Sequence, residues 1–178
     1  MPNSQELQKK LTQAYHQLLK NTKEVLDVTK KESTPAFLDA IDKAKEATAE
    51  LAELTVEEID KVSDYVVRDL HDAAEYIAEG ERELGDWLRI DALLIEDKFL
   101  EVFSQMVDHT QVALDEIAAN AKRASEWHTG EITSAGTLVC SECGKVLHFH
   151  DAGHIPPCPK CHASVFHRAE DKPTENDD

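Results

Sequence analysis

The chain is short of the residues that break, kink or staple a fold. Between Ser4 and about residue 126 it has one proline, Pro35, and two glycines, Gly80 and Gly85. The same stretch is rich in Ala, Leu, Glu, Asp and Lys, so it reads as long helices rather than as a loop-rich or β fold. No run approaches the roughly 18 apolar residues that a membrane-crossing helix needs. The N-terminal Met1-Pro-Asn-Ser-Gln-Glu-Leu-Gln-Lys-Lys has no apolar leader, so a cytoplasmic protein is the expectation. Positive charge is scarce as well. Lys and Arg number 19 against 36 Asp and Glu, a net charge of −17. Residues 39–97 alone carry −13, and residues 131–169 balance at 3 basic and 3 acidic groups. With no basic stripe to pair with phosphates, nucleic acid is not an expected partner.

Catalytic signatures are missing too. HExxH, P-loop and GxGxxG patterns are absent. A di-iron bundle needs Glu-x-x-His pairs, but Arg68 stands three residues before His71 and Met106 three before His109. The acidic run from Asp39 to Asp97 reads as solvated helix faces. A non-enzymatic protein with no catalytic residue is therefore expected.

What is present falls into two parts. Leu7, Leu11, Ala14, Leu18, Val25 and Val28 recur at helical spacing, with Asn21 in the seam and Ser4 as N-cap candidate. Ser33-Thr34-Pro35 signals a second start. Phe37, Ile41, Ala44, Thr48 and Leu51 form the next stripe, and Ile59, Val62, Val66, Leu70, Ala73 and Ile77 continue it. Thr55-Val-Glu-Glu58 has the capping-box pattern, yet no Gly or Pro breaks the chain there. The reading preferred is one helix with a kink. Leu88, Ile95, Phe99, Val102, Met106, Ala113, Ile117 and Ala124 mark a third long helix over 85–125. Two matched helices of about 60 Å each imply an antiparallel helical hairpin or three-helix, coiled-coil-like stalk, with homo-oligomers an open outcome.

The second part holds all four cysteines, as two CxxC pairs with fourteen residues between them: Cys140 and Cys143, Cys158 and Cys161. Two such turns can close a four-thiolate site around one structural Zn2+ per chain. Gly144 and His162 follow the knuckles, where a positive φ lets the backbone turn around the sulfurs. Segments 137–139, 145–149 and 164–167 read as strands of a zinc ribbon. Rubredoxin-type iron is the alternative metal. Disulfides fit worse because the expected compartment is reducing, and a thioredoxin-like motif fits worse because no helix-like sequence follows either pair. His148, His150, His154, His162 and His167 read as surface or supporting histidines, because the cysteines already complete the shell.

Gly130-Glu-Ile, Gly136-Thr-Leu-Val-Cys140-x-x-Cys143-Gly144, Ile155-Pro-Pro-Cys158-Pro-x-Cys161 and Phe166-His-Arg168 resemble the bacterial zinc ribbon-containing YbeL-like proteins. In that family an acidic helical region precedes a C-terminal ribbon, and the function is unknown. The resemblance implies zinc at the four cysteines and a bacterial cytoplasmic setting, and supplies no activity. The expected organisation is an acidic helical stalk over 1–128, a zinc ribbon over 129–169 and a disordered acidic tail over 170–178. The expected role is a protein-interaction or adaptor module with an unidentified protein partner. A redox-responsive zinc-thiolate switch or chaperone-like protein is the alternative. Val139, Leu147, Phe149, Ile155 and Phe166 are the ribbon's expected core or docking residues. Replacing Cys143 is expected to unfold the ribbon and leave the stalk helical.

Overall fold

The computed structural model describes residues 3–29, 34–80, 82–112 and 126–169, with backbone alone at 29, 34–36 and 112. The expectations for the Ser33 cap, for Ala113, Ile117 and Ala124, and for the tail over 170–178 lie outside the described residues.

Helix α1 spans Ser4–Thr29, α2 Thr34–Ala52, α3 Val56–Ala78, α4 Leu84–Leu88 and α5 Asp97–Val112, with one 3-10 turn at Ala92–Leu94. The cap of α1 is Asn3 rather than Ser4: Asn3 Oδ1 accepts from the Gln5 amide at 3.5 Å, and Glu6 reaches back to the Asn3 amide at 3.1 Å. The stripes converge on one core. Tyr15, Leu18 and Leu19 of α1 meet Phe37 and Ile41 of α2, Val62, Val66 and Leu70 of α3, and Phe103 and Met106 of α5. Asn21 is satisfied in the seam, donating to Thr48 Oγ1 at 3.0 Å and accepting from Gln17 at 2.7 Å. Val28 and Leu51 were expected in the stripes but are 84% and 71% exposed, each at the last turn of its helix.

The two very long helices do not form. The expected continuous helix through Thr55 ends at Ala52 in a Schellman motif. Glu53 takes φ 53°, the Glu53 amide bonds Glu50 O at 3.4 Å, and the Leu54 amide bonds Ala49 O at 3.0 Å. The next helix starts at once, because Thr55 Oγ1 accepts from the Glu58 amide at 3.2 Å while Glu58 accepts from the Thr55 amide at 2.9 Å. A complete C-cap joined to a complete N-cap satisfies the groups that an unbroken helix would have paired. The expected helix over 85–125 also breaks. Arg89 closes α4 at φ 51°, and Asp91 caps the 3-10 turn by accepting from the Leu93 amide at 3.0 Å. The result is a bundle of medium helices in place of a long hairpin.

The C-terminal region is β. Strands β1 Trp127–His128, β6 Val165–Arg168, β3 Gly136–Cys140 and β4 Val146–Phe149 form an antiparallel sheet in that order, and β2 Ile132–Thr133 pairs with β5 Gly153–His154. Cys140 lies opposite Phe166, and Leu138 opposite Arg168. One sheet face carries Trp127, Leu138, Cys140 and Phe166, which bury a small core with Ile155 and Cys158. Of the expected docking residues, Ile155 and Phe166 are therefore core, while Leu147 and Phe149 are partly buried against it. Ile132, Ala135 and Ala152 belong to the helical core instead, so the ribbon region seats on the bundle.

Candidate metal centre

Each CxxC pair is a tight knuckle built by its backbone. Cys140 ends β3, its amide bonding Lys145 O at 2.8 Å, and the Gly144 amide returns to Cys140 O at 3.0 Å. The second knuckle repeats this with Cys158 to Ala163 O at 3.0 Å and His162 to Cys158 O at 2.9 Å. Gly144 and His162 both take positive φ, 71° and 64°, as the sequence predicts. The four Sγ atoms lie within 4.8 Å of one another. Cys140 Sγ to Cys161 Sγ and Cys143 Sγ to Cys158 Sγ are both 3.6 Å. A disulfide would need about 2.05 Å. Tetrahedral thiolates bound to zinc at about 2.3 Å stand roughly 3.8 Å apart, so the donor set fits a metal ion.

The sulfurs are not equivalent. Cys140 and Cys158 are buried, Cys143 is half-buried and Cys161 is exposed. Burial raises the Cys158 thiol, but the Cys161 and Lys160 amides and the neighbouring thiols outweigh it and bring it down to about 6. Cys161 gains from the Ala163 amide. Desolvation and the three other sulfurs then push it up to about 12.

None of the five histidines near the ribbon joins this cluster. Among the described residues, the four cysteines are the one convergent group of three or more potential ligands. His148 Nδ1 pairs with Thr137 Oγ1 at 3.1 Å, His167 Nδ1 with Ser141 Oγ at 3.2 Å, and His154 Nε2 with Gln8 of α1 at 3.3 Å.

Sequence reasoning missed a second polar centre, where the ribbon meets the helices. Asp69 of α3 is wholly buried. Its carboxylate accepts from Tyr15 Oη at 2.7 Å, Trp127 Nε1 at 2.8 Å, the Ser134 amide at 2.9 Å and Arg68 Nε at 3.1 Å. Arg168 Nη2 stands 3.7 Å away and donates to Thr133 Oγ1 at 2.9 Å and Ser134 Oγ at 3.0 Å. Burial alone would raise the Asp69 carboxyl, but Arg68, Arg168 and the Tyr15 and Trp127 hydrogen bonds hold it below the usual carboxylate range. Among the described residues, Arg168 Nε and Nη1 have no hydrogen-bond partner. The guanidinium lies instead over the rings of Trp87 at 4.2 Å and Trp127 at 5.2 Å. Gly136, at φ 140°, leaves room for it, since a Cβ there would run into Arg168 Nη1. Arg68 clamps the same seam from α3, donating to Glu131 at 2.6 Å and to Ile132 O at 2.9 Å. The available signal was an aspartate beside Val66, Leu70 and Ala73 on an apolar stripe.

No solved structure matches the chain. The uncharacterized protein YbeL of Escherichia coli strain K12 and that of strain O157:H7 are each 28% identical over 169 residues, spanning 92% of this chain and 99% of theirs. The matched family model, described as a zinc-ribbon containing domain, covers residues 24–170 and so takes in the helices as well as the knuckles. The chain belongs to this zinc-ribbon family.

Proposed function

We propose that this is a non-enzymatic, cytoplasmic interaction protein whose ribbon is held by one structural Zn2+ per chain, ligated by Cys140, Cys143, Cys158 and Cys161. One observation carries the reading: two knuckles bring four thiolates within 4.8 Å, which fills a tetrahedral shell and leaves no coordination position for a substrate. Leu93 and Leu94, 88% and 59% exposed on their capped turn, give an apolar contact point for a protein partner. Asp91, Glu96 and Asp97 flank it, a charge pattern that favours a partner surface with basic groups at its edge. The test is metal analysis with visible absorption on protein purified without added metal. One zinc per chain and no colour supports the reading. One iron with strong visible bands replaces it with electron transfer.

A second reading, a redox-responsive thiolate switch, is favoured by the exposure of Cys161, which lets an oxidant reach one sulfur. Peroxide-triggered zinc release, followed with a metal-sensitive dye, supports it. Zinc that stays bound through peroxide treatment removes it.

A further inference from the structure

We infer that metal occupancy at the four cysteines and the packing of α1 on α3 form one linked equilibrium, coupled through the Asp69 cluster. The inference rests on the metal-site reading above.

The coupling path is short and continuous. Cys140 and Phe166 are paired residues of β3 and β6, and two residues further along the same pair stand Leu138 and Arg168. Side chains two apart on a strand share a face, so the metal-binding end of the sheet and the Arg168 end are one surface. The first knuckle is tied across to β6 as well, since the Ser141 amide bonds Val165 O at 3.0 Å. Three of the groups that satisfy Asp69 come from the ribbon region: Trp127 Nε1, the Ser134 amide and the Arg168 guanidinium. The other two, Tyr15 and Arg68, come from the helices. A ribbon that loses its ion loses the register holding β3 against β6. Trp127 and Arg168 then leave, and Asp69 is stranded in the helical core with three of its five partners. A buried carboxylate so depleted must draw in water or a proton, and either route loosens α3 from α1 at Tyr15. Linkage is reciprocal: whatever weakens the Asp69 cluster also weakens the metal site.

The test uses the full chain. Metal content of the purified protein is measured first. Backbone hydrogen exchange is then compared between zinc-loaded and chelated protein, and zinc affinity is measured by competition with a chromogenic chelator. The expected result is faster exchange on chelation around Asp69 in α3 and Tyr15 in α1 as well as in residues 126–169. Asp69→Asn lies on α3 and holds no metal, and it is expected to weaken zinc binding about tenfold. Should that variant not fold, Arg68→Lys removes the planar fork to Glu131 and Ile132 O and is expected to weaken zinc in the same direction. Unchanged exchange in α3 on chelation overturns the linkage, as does wild-type zinc affinity in the folded variants. Purified protein that binds no zinc overturns the metal reading itself, a result visible before any variant is made.

Discussion

The four cysteines and the Asp69 cluster are joined by β3, which ends at Cys140, and by β6, which ends at Arg168, and they concentrate charge in opposite ways. The cysteine cluster gathers four sulfurs close to the surface, with Cys161 exposed, in an arrangement that fits a cation taken from solution. The Asp69 cluster lies in the interior and supplies its own counter-ions: one carboxylate, two guanidiniums, and the hydroxyl, indole and amide donors that complete its shell. The first is built by local turns and needs only a few residues of chain. The second needs four separate segments, α1, α3, the 127–134 stretch and β6, to arrive together. A site of local origin can be lost by one substitution without consulting the rest of the fold. A site assembled from distant segments is lost either with Asp69 itself or with the packing that brings its partners together.

The largest expected effect comes from breaking the local site. Cys143→Ser removes one of four ligands and is expected to abolish stoichiometric zinc in metal analysis. It is also expected to lose the near-UV signal of Trp127, which packs with Cys140 and Cys158. If the two clusters are independent, α3 keeps its exchange protection in this variant. If they are linked, protection near Asp69 falls. Next comes the distant site. Asp69→Ala leaves Arg68 and Arg168 buried without their carboxylate and is expected to cost about 3–5 kcal/mol in urea unfolding. Full stability in this variant would show that the cluster contributes nothing to the seam.

The contrast also explains what could be read from the residues alone. CxxC spacing reports a turn whose geometry closes within four residues, so all four cysteines and the positive φ at Gly144 and His162 were legible. The helical stripes were legible wherever burial was continuous, as from Val62 to Leu70. The breaks were not. Glu53 and Arg89 take the left-handed conformation usually marked by glycine, and neither residue type announces it. Thr55 and Glu58 did carry the start signal, which the absence of Gly or Pro wrongly outweighed. Asp69 looked like one more acidic residue in a strongly acidic segment. Its meaning depends on Trp127 and Arg168, whose long separation from it in sequence leaves no local pattern.

Gly136→Ala sharpens the comparison at the point where Arg168 passes β3. The new Cβ meets the guanidinium at a positive φ, so about 1–3 kcal/mol is expected to be lost. Gly85→Ala is the control, because that position faces open space. The pH dependence separates two aspartates on the same helix. Asp69 is held below its ordinary range, so it stabilises the fold above the unfolded carboxyl value of about 3.9 and loses that contribution as acid protonates it. Asp72 is shifted the other way, chiefly by burial, although it accepts from Trp87 Nε1 at 2.8 Å. Its ionisation therefore costs stability as pH rises above that value. Unfolding curves between pH 3 and 7 are expected to show Asp69→Asn flattening the acid-side rise in stability and Asp72→Asn steepening it. Parallel shifts in both variants would contradict the opposed environments.

The smallest effect is expected at the junction of α2 and α3, remote from both clusters. Thr55 and Asp69 lie at well-separated positions along α3, about 20 Å apart at 1.5 Å per residue. Thr55→Ala removes the hydroxyl that accepts from the Glu58 amide, while Glu58 can still reach the Thr55 amide, so half of the capping box survives. About 1 kcal/mol of unfolding free energy is expected to go. Zinc affinity is expected to stay at the wild-type value, because a frayed first turn leaves Asp69 and its five partners in place. A fall in zinc affinity here would mean that the ribbon senses the stability of the whole bundle, and the Asp69 seam would lose its special standing. Unchanged affinity, set beside a tenfold loss in Asp69→Asn, would locate the coupling at the seam itself.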